Sequence, residues 1–419
     1  MKKIIHYIGL DVHKNSIAVA IAVEEGGELR SYGTIGGKLA DLDKLIKKLE
    51  HPGVELRFCY EAGPTGYVIC RHLKKRAYAC EVIAPSLIPQ KPSDQVKTNR
   101  RDAKMLARLF RAGELTSVHV PDEEDEAIRD LERARFSAVK DQRRARQRLK
   151  GLLLRQGFPY EGKTSWGPAH LNYLARLKMP HTAQQIAFEG YKAAITVATE
   201  RVARLSQALE AQLDGWKWKP VVLALMTLRG IQTINAMTLL AELGDLSRFT
   251  NPHQLMSYLG LVSSEDSTGD KRHQGGITKA GNEAGRRALI EAAQHYRLPA
   301  RLTPTIQARQ HGQSQAVRAI AWKAQQRLHD RYHHLKAKGK KTQVVVTAIA
   351  RELAGFVWAI ACTAVGKAPA ARPESKPEAP QHRQKTSENK SGQKKTYQLK
   401  PAMKYSASRK VNRSSAPRP

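Results

Sequence analysis

Hydrophobic and polar positions alternate differently in the two halves of the chain. An apolar run opens at Tyr7-Ile8-Gly9-Leu10-Asp11 and resumes at Ile17 to Val23. The Glu24-Glu25-Gly26-Gly27 turn separates it from Leu29 to Gly33, a pattern that predicts a β-meander. Leu39 to Leu49 carries apolar residues at helical spacing, Val54 to Tyr60 reads as a strand, Thr65 to Arg76 as a helix and Cys80 to Ala84 as another strand. Strands and helices in alternation imply an α/β domain. After Pro85 a polar loop leads, from Arg101, into a helix ending near Gly113. Asp122 to Gln156 then reads as one long helix, acidic in its first turn (Asp122 to Glu126) and basic later (Lys140, Arg143, Arg144, Arg146, Arg148), the order that suits the helix dipole. Its stripe of Ala127, Leu131, Ala134, Ala138, Ala145, Leu149 and Leu152 serves equally for packing within the chain or for pairing between copies.

A second long helix is expected from Thr182 to Leu213, and Trp216-Lys217-Trp218-Lys219-Pro220 reads as a hinge into a mainly helical region. That region holds helices at Ala236 to Leu243, Leu255 to Leu261, Glu283 to Tyr296 and Val344 to Val365, with a polar loop before Glu283. Beyond Gly366 aliphatic residues almost vanish, and residues 367–419 hold 14 Lys+Arg against 3 Asp+Glu, so this tail is expected to be disordered and to touch nucleic acid. The organisation is therefore read as 1–120 α/β, 121–215 helical and coiled-coil, 216–365 helical, and 366–419 basic tail.

Charge narrows the function. The 419 residues carry 71 Lys+Arg and 38 Asp+Glu, a formal net charge of +33. Self-repulsion on that scale argues against a small-molecule enzyme and for a polyanionic partner such as DNA or RNA. The best apolar run, around Val344 to Val365, is interrupted by Arg351 and Glu352, so no membrane span is expected. The N-terminus has no signal-peptide pattern and the location is expected to be cytoplasmic. The four cysteines, Cys59, Cys70, Cys80 and Cys362, form no Cys-x-x-Cys pair and are expected to be buried thiols.

Three carboxylates sit at informative places. Asp11 lies inside the first strand, where an unpaired charge is costly unless it holds a metal. Glu61 follows a later strand, and Asp102 opens a helix, where an acid is also a common dipole partner. That order is the one used by RNase-H-like nucleases, whose carboxylates gather Mg²⁺ for in-line phosphoryl displacement. Further along, Leu228-Arg229-Gly230-Ile231-Gln232-Thr233 has the pattern of a helix-hairpin-helix turn that presents backbone N–H groups to phosphate, or of an ordinary glycine-capped connection. The segment Gly260 to Asn282 clusters hydroxyls, cations and glycines. A serine there can attack a phosphodiester, or the loop simply contacts phosphate.

Together Ile8-Gly9-Leu10-Asp11-Val12-His13-Lys14, Tyr60-Glu61-Ala62-Gly63-Pro64-Thr65-Gly66, Lys97-Thr98-Asn99-Arg100-Arg101-Asp102-Ala103, the block Gly260 to Asn282 and Arg351-Glu352-Leu353-Ala354-Gly355 resemble insertion-sequence transposases with a RuvC-like acidic domain and a C-terminal serine domain. The resemblance runs in order over roughly residues 4–365. It implies a RuvC-like RNase-H fold at the N-terminus and a recombinase that excises and inserts its own element. It further implies Mg²⁺, or Mn²⁺, at the acidic cluster, a serine–DNA covalent intermediate and guidance by a noncoding RNA. Double-stranded DNA at element ends and target is the implied substrate, in a homo-oligomer, dimer or tetramer, with a composite site shared between subunits.

Carried over residue by residue, Asp11, Glu61 and Asp102 are the metal ligands, with Asn99 standing where the family has a fourth acid. The family's nucleophile directly precedes a glycine. Here Thr268 precedes Gly269 and Ser267 lies one residue earlier, so Ser267 is the expected nucleophile with Thr268 as its alternative. Arg100, Arg101, Arg229, Gly230, Lys271, Arg272 and Lys279 are the expected nucleic-acid contacts. Two rivals stand beside this reading: a RuvC-like junction endonuclease that uses water, and a catalytically decayed nucleic-acid-binding relative.

Overall fold

The structure, a computed structural model, describes residues 4–24, 27–89, 98–268 and 273–367. Lys97, the stretch 269–272 with Lys271 and Arg272, and the tail from residue 368 lie outside the described residues.

The N-terminal part is a mixed five-stranded sheet with helices on both faces. Strands β1 (Ile4–Val12), β2 (Ser16–Val23) and β3 (Leu29–Gly36) form the expected antiparallel meander, followed by helix α1 (Leu39–Leu49). Strand β4 (Val54–Glu61) pairs in parallel with β1, helix α2 (Val68–Lys75) crosses over, and β5 (Ala79–Ile83) pairs in parallel with β4, giving the order β3-β2-β1-β4-β5. Alternation along β1 splits its side chains between faces. Ile8 and Leu10 pack with Phe58, Tyr60 and the buried residues of α1 and α2. Helix α3 (Asn99–Arg111) covers the opposite face with Ala103 and Ala107 against Ala18, Ala20 and Ala22, and Leu106 against Cys59 and Ile83. Alanines on both sides allow an unusually close approach, and Gly9 completes it. A Cβ at Gly9 would stand 2.5 Å from both the Ala103 carbonyl oxygen and the Ala107 nitrogen.

Helix α4 (Glu123–Arg155) is capped by Asp122, whose Oδ1 accepts from the Asp125 N–H at 2.8 Å. A short helix α5 (Pro168–Arg176) leads to α6 (Thr182–Ala211). The contacts Arg135–Ser206, Gln142–Thr199 and Gln156–Gln184 run in opposite chain directions, so α4 and α6 form an antiparallel hairpin. The later part of the stripe on α4 packs within the chain, while Ala127 is exposed. Of its residues Ala138, Ala145, Leu149 and Leu152 are buried.

The C-terminal part is helical: α7 (Lys219–Leu225), α8 (Thr233–Leu243), α9 (Pro252–Tyr258), a hairpin of β6 (Ser263–Glu265) and β7 (Gln274–Ile277), then α10 (Glu283–Ala293), α11 (Pro304–Gln310), α12 (Gln315–Ala337) and α13 (Thr342–Ala364). Its core gathers Leu225, Leu239, Leu240, Leu289, Leu328, Ile349, Leu353 and Val357, and also takes Ile128 from α4 and Leu209 from α6. Helix α13 is long and apolar enough to cross a membrane by length and composition, and half of its apolar window is buried within the fold.

Several expectations need correction. The Trp216–Pro220 segment is not a hinge. The indole N–H groups of Trp216 and Trp218 both donate to Asp125 Oδ1, at 2.8 and 3.1 Å, which anchors the segment to the first turn of α4. The polar loop before α10 contains a β-hairpin rather than irregular chain. Helices α5, α7, α11 and α12 were not anticipated. In α12 the buried positions Val317, Ala321, Ala324 and Leu328 do recur at helical spacing, but two alanines among His, Arg and Gln leave a faint stripe. All four cysteines are buried free thiols, as expected.

Candidate catalytic site

Two constellations carry chemistry. The first lies where β1 and β4 end. Asp11 points to the same face as Gly9, the face that α3 covers, and Glu61 shares that face with Cys59 by the same alternation. Leu10 pairs with Tyr60, so Asp11 and Glu61 are the next residues along two adjacent parallel strands. The close seating of α3 at Gly9 brings its first turn, with Asp102, over this strand end, and Asn99 lies one helical turn earlier on the same helix face. Thr98 caps the helix by accepting from the Arg101 N–H.

Asp11 is half-buried and receives His13 Nε2 on Oδ2 at 3.1 Å. Burial raises its carboxyl above the ordinary value, His13 opposes that, and the neighbouring Asp102 charge adds to it. The Asp102 charge is the smallest of these influences on Asp11. Among the described residues, no three His, Cys, Asp or Glu side chains close into a set able to hold one ion. Asp11, Glu61 and Asp102 are thus brought to one strand end but not into a ligand cage. All are oxygen donors, with the amide of Asn99 beside them, and this donor chemistry fits a hard divalent cation.

The second constellation is the β6–β7 hairpin. Ser267 is exposed, and its hydroxyl donates to Glu265 Oε1 at 3.0 Å, while Gln274 Nε2 donates to Glu265 Oε2 at 3.3 Å. Thr268 is also exposed. Sequence reasoning missed Glu265, although its position two residues before Ser267 puts both on one side of an extended chain. At the hairpin base Lys279 is exposed, holds a left-handed backbone (φ +55°), and donates its N–H to the Gly260 carbonyl at 3.1 Å. Gly281 (φ +105°) lies so near Tyr258 that a Cβ would meet its carbonyl oxygen.

Asn282 then fixes the hairpin to the helical core. Its Oδ1 accepts from the Gly285 N–H, capping α10, and its Nδ2 donates to Glu242 Oε2 at 2.7 Å. Glu242 is buried on α8 and takes two further bonds from Arg133 of α4, at 2.8 and 3.0 Å. Burial alone would raise the Glu242 carboxyl, yet the Arg133 guanidinium outweighs it and holds the group below its ordinary value.

The expected nucleic-acid contacts divide. Arg100 and Arg101 are exposed at the start of α3, beside the carboxylates. The expectation for the Arg229 side chain is corrected. Arg229 is buried, and its guanidinium donates to the carbonyls of Leu298, Pro299 and Arg301 at 3.0, 2.7 and 3.1 Å. Gly230 (φ +83°) packs against α10, where a Cβ would stand 2.5 Å from the Ala292 carbonyl oxygen. The Arg229 guanidinium is thus committed to the core and does not reach out to a phosphate. Arg229→Met should therefore lower unfolding stability by about 2 kcal/mol, the scale of lost charged hydrogen bonds. The salt dependence of DNA binding should stay unchanged. Urea unfolding and salt titration of binding measure the two effects.

A family model described as Transposase, of the DEDD type found in IS110 elements, matches residues 8–159, and a second, described as Transposase IS116/IS110/IS902 family, matches residues 223–309. The chain belongs to the IS116/IS110/IS902 family of transposases. A Sinorhizobium fredii protein named as a transposase, y4qE, is 48% identical over 357 residues, covering 85% of this chain and 88% of that protein. The transposase for insertion sequence element IS1533 of Leptospira borgpetersenii is 33% identical over 338 residues, covering 80% and 98%. The corresponding protein of IS1328 from Yersinia enterocolitica is 24% identical over 367 residues, covering 84% and 96%. The resemblance read from the motifs thus holds at the level of the family. This transposase acts on DNA. Its DEDD domain implies an RNase-H-like fold, which agrees with the mixed N-terminal sheet, and is of a type that binds a divalent metal.

Proposed function

We propose that this transposase cuts and rejoins DNA through a serine–DNA intermediate. The observation that carries the reading is the Ser267 hydroxyl donating to Glu265 on an exposed hairpin. The Ser267 oxygen attacks phosphorus of the scissile phosphodiester as Glu265 accepts its proton, an Oγ–P bond forms, and the bond to the leaving sugar oxygen breaks. That sugar oxygen takes up a proton on leaving. Attack by a sugar hydroxyl on the serine phosphodiester reverses the step, so bond energy is kept for religation without an external source. Asn282, held by Glu242 and Arg133, keeps the hairpin base in place.

Asp11, Glu61 and Asp102, with Asn99 as a further oxygen donor, would hold Mg²⁺ or Mn²⁺. A bound cation would polarise the scissile phosphate and offset its charge. Arg100, Arg101 and Lys279, and Lys271 and Arg272 beyond the described residues, would engage the backbone of double-stranded DNA. The resemblance supports a noncoding guide RNA, a homo-oligomer whose composite site joins the acidic cluster of one copy to the serine hairpin of another, and a bacterial cytoplasmic setting. The same reading divides the chain into a RuvC-like domain at 1–120, a helical linker at 121–215, a serine domain at 216–365 and a basic tail at 366–419.

The test incubates the protein with Mg²⁺, donor and target DNA and the element's flanking noncoding RNA, then resolves protein-linked DNA on denaturing gels. Adduct formed by wild type and Thr268→Ala, and lost in Ser267→Ala, is the expected outcome. Metal-dependent nicks without any adduct would replace this mechanism with hydrolysis by the acidic domain. Binding with neither product would mark a decayed copy.

A further inference from the structure

The distal half of α4 carries a surface that neither constellation uses. Between residues 140 and 155 it holds Lys140, Arg143, Arg144, Arg146, Arg148, Lys150 and Arg155 against the single acid Asp141. Asp141 is occupied by Arg144 and by Arg201 of α6. Arg146 lies over the Trp166 ring, and Lys150 donates to Ser165. Among the described residues, no carboxylate lies within ion-pair reach of Arg148 or Arg155, and both are exposed. These two line an open groove of about 390 Å³ with Arg144, Gln147, Gly151 and Tyr191, the last contributed by α6.

Gly151 is the informative member. A glycine inside a helix costs about 1 kcal/mol relative to alanine, so a packing reason is expected for it. None is present: a Cβ there would meet only the end of the Arg155 guanidinium, at 3.8 Å. The missing side chain instead leaves bare backbone on the groove floor between two unpaired guanidinium groups. From Arg144 to Arg155 the row spans about 16 Å of helix axis, enough to meet more than one phosphate of a strand laid along it. Tyr191, half-buried on the facing helix and packed on the Leu149–Phe188 cluster, places an aromatic ring at the border of the groove. Cations spaced along a groove with an aromatic ring suit a single strand, whose phosphates follow the charge while a base stacks.

We propose that this groove on the α4–α6 hairpin is a binding site for single-stranded nucleic acid, with Arg148 and Arg155 holding phosphates and Tyr191 stacking a base. It is separate from the cutting chemistry and holds whether or not Ser267 is the nucleophile.

The experiment uses full-length protein in a Ser267→Ala background, so that no cleavage intervenes, with mixed-sequence 20-nucleotide DNA and RNA strands carrying 5-iodouracil. Ultraviolet crosslinking followed by peptide mass spectrometry should place an adduct on Tyr191. Arg148→Gln with Arg155→Gln should cut that adduct at least tenfold, and should flatten the salt dependence of log affinity by about 1.4, the share of two phosphate contacts on a single strand. The stronger of the DNA and RNA arms identifies the source of the strand. Gly151→Leu, which fills the groove without changing charge, should also lose the adduct. Gly151→Ala should melt at a higher temperature than the parent, which separates helix stability from binding. Adducts only at other residues, an unchanged salt slope in the double variant, or protection of Tyr191 by duplex rather than by single strands would overturn the proposal.

Discussion

Asp11→Asn should reduce strand cleavage and joining at least about a thousandfold, the scale of several kcal/mol of lost charge stabilisation at a phosphoryl centre. The fold should survive. Asn keeps the shape of the side chain at the end of β1 and removes only its charge. Burial lifts the Asp11 carboxyl above its ordinary value, with Asp102 adding to the effect and His13 opposing it. A raised carboxyl favours folding below its unfolded value, and that advantage is lost as pH rises through the folded value. At pH 7 the ionised Asp11 therefore weighs against the fold, and Asn relieves it. Thermal melts should show Asp11→Asn at or above wild type at neutral pH, with the difference shrinking toward about pH 4. A variant that melts well below wild type would mean that its lost activity reports unfolding and not the missing carboxylate.

Gly9→Val should cost about 4 kcal/mol or more, which approaches the whole stability of an ordinary domain. Its Cβ would stand 2.5 Å from two backbone atoms of α3, and a helix backbone has no rotamer with which to withdraw. Either α3 lifts off the sheet or the N-terminal part fails to fold. Both outcomes take Asp102 away from Asp11, so activity falls with stability. Urea unfolding followed by circular dichroism reads the first effect. Limited proteolysis around α3 reads the second, since a lifted helix exposes its lysine and arginines to trypsin. Wild-type stability together with wild-type protection would show that α3 does not bear on Gly9.

The sequence determined a good deal by itself. The apolar run opening at Tyr7 and its bounding turn placed Asp11 in the first strand, because strand and turn formers act over a few neighbouring residues. Caps and charge order marked α4, with Asp122 ahead of four acids, because helix ends expose their own backbone donors locally. The ordered motifs from Ile8 to Gly355 identified the family. These signals all lie within a few residues along the chain. Tertiary structure decided the rest, because the partners there are distant. Arg133 and Glu242 are 109 positions apart, and Trp216 and Asp125 are 91 apart, so no local pattern reveals that one pair braces the serine hairpin and the other removes a hinge. Arg229 read as a phosphate ligand because arginine beside glycine has that meaning on a surface. Only burial against the carbonyls of Leu298, Pro299 and Arg301 made it structural. Conversely, Arg148 and Arg155 looked like any charged helix face until folding set Tyr191 beside them and left both guanidinium groups without an acid among the described residues. A residue's type fixes which interactions it can make, and the fold fixes which of them remain unmet.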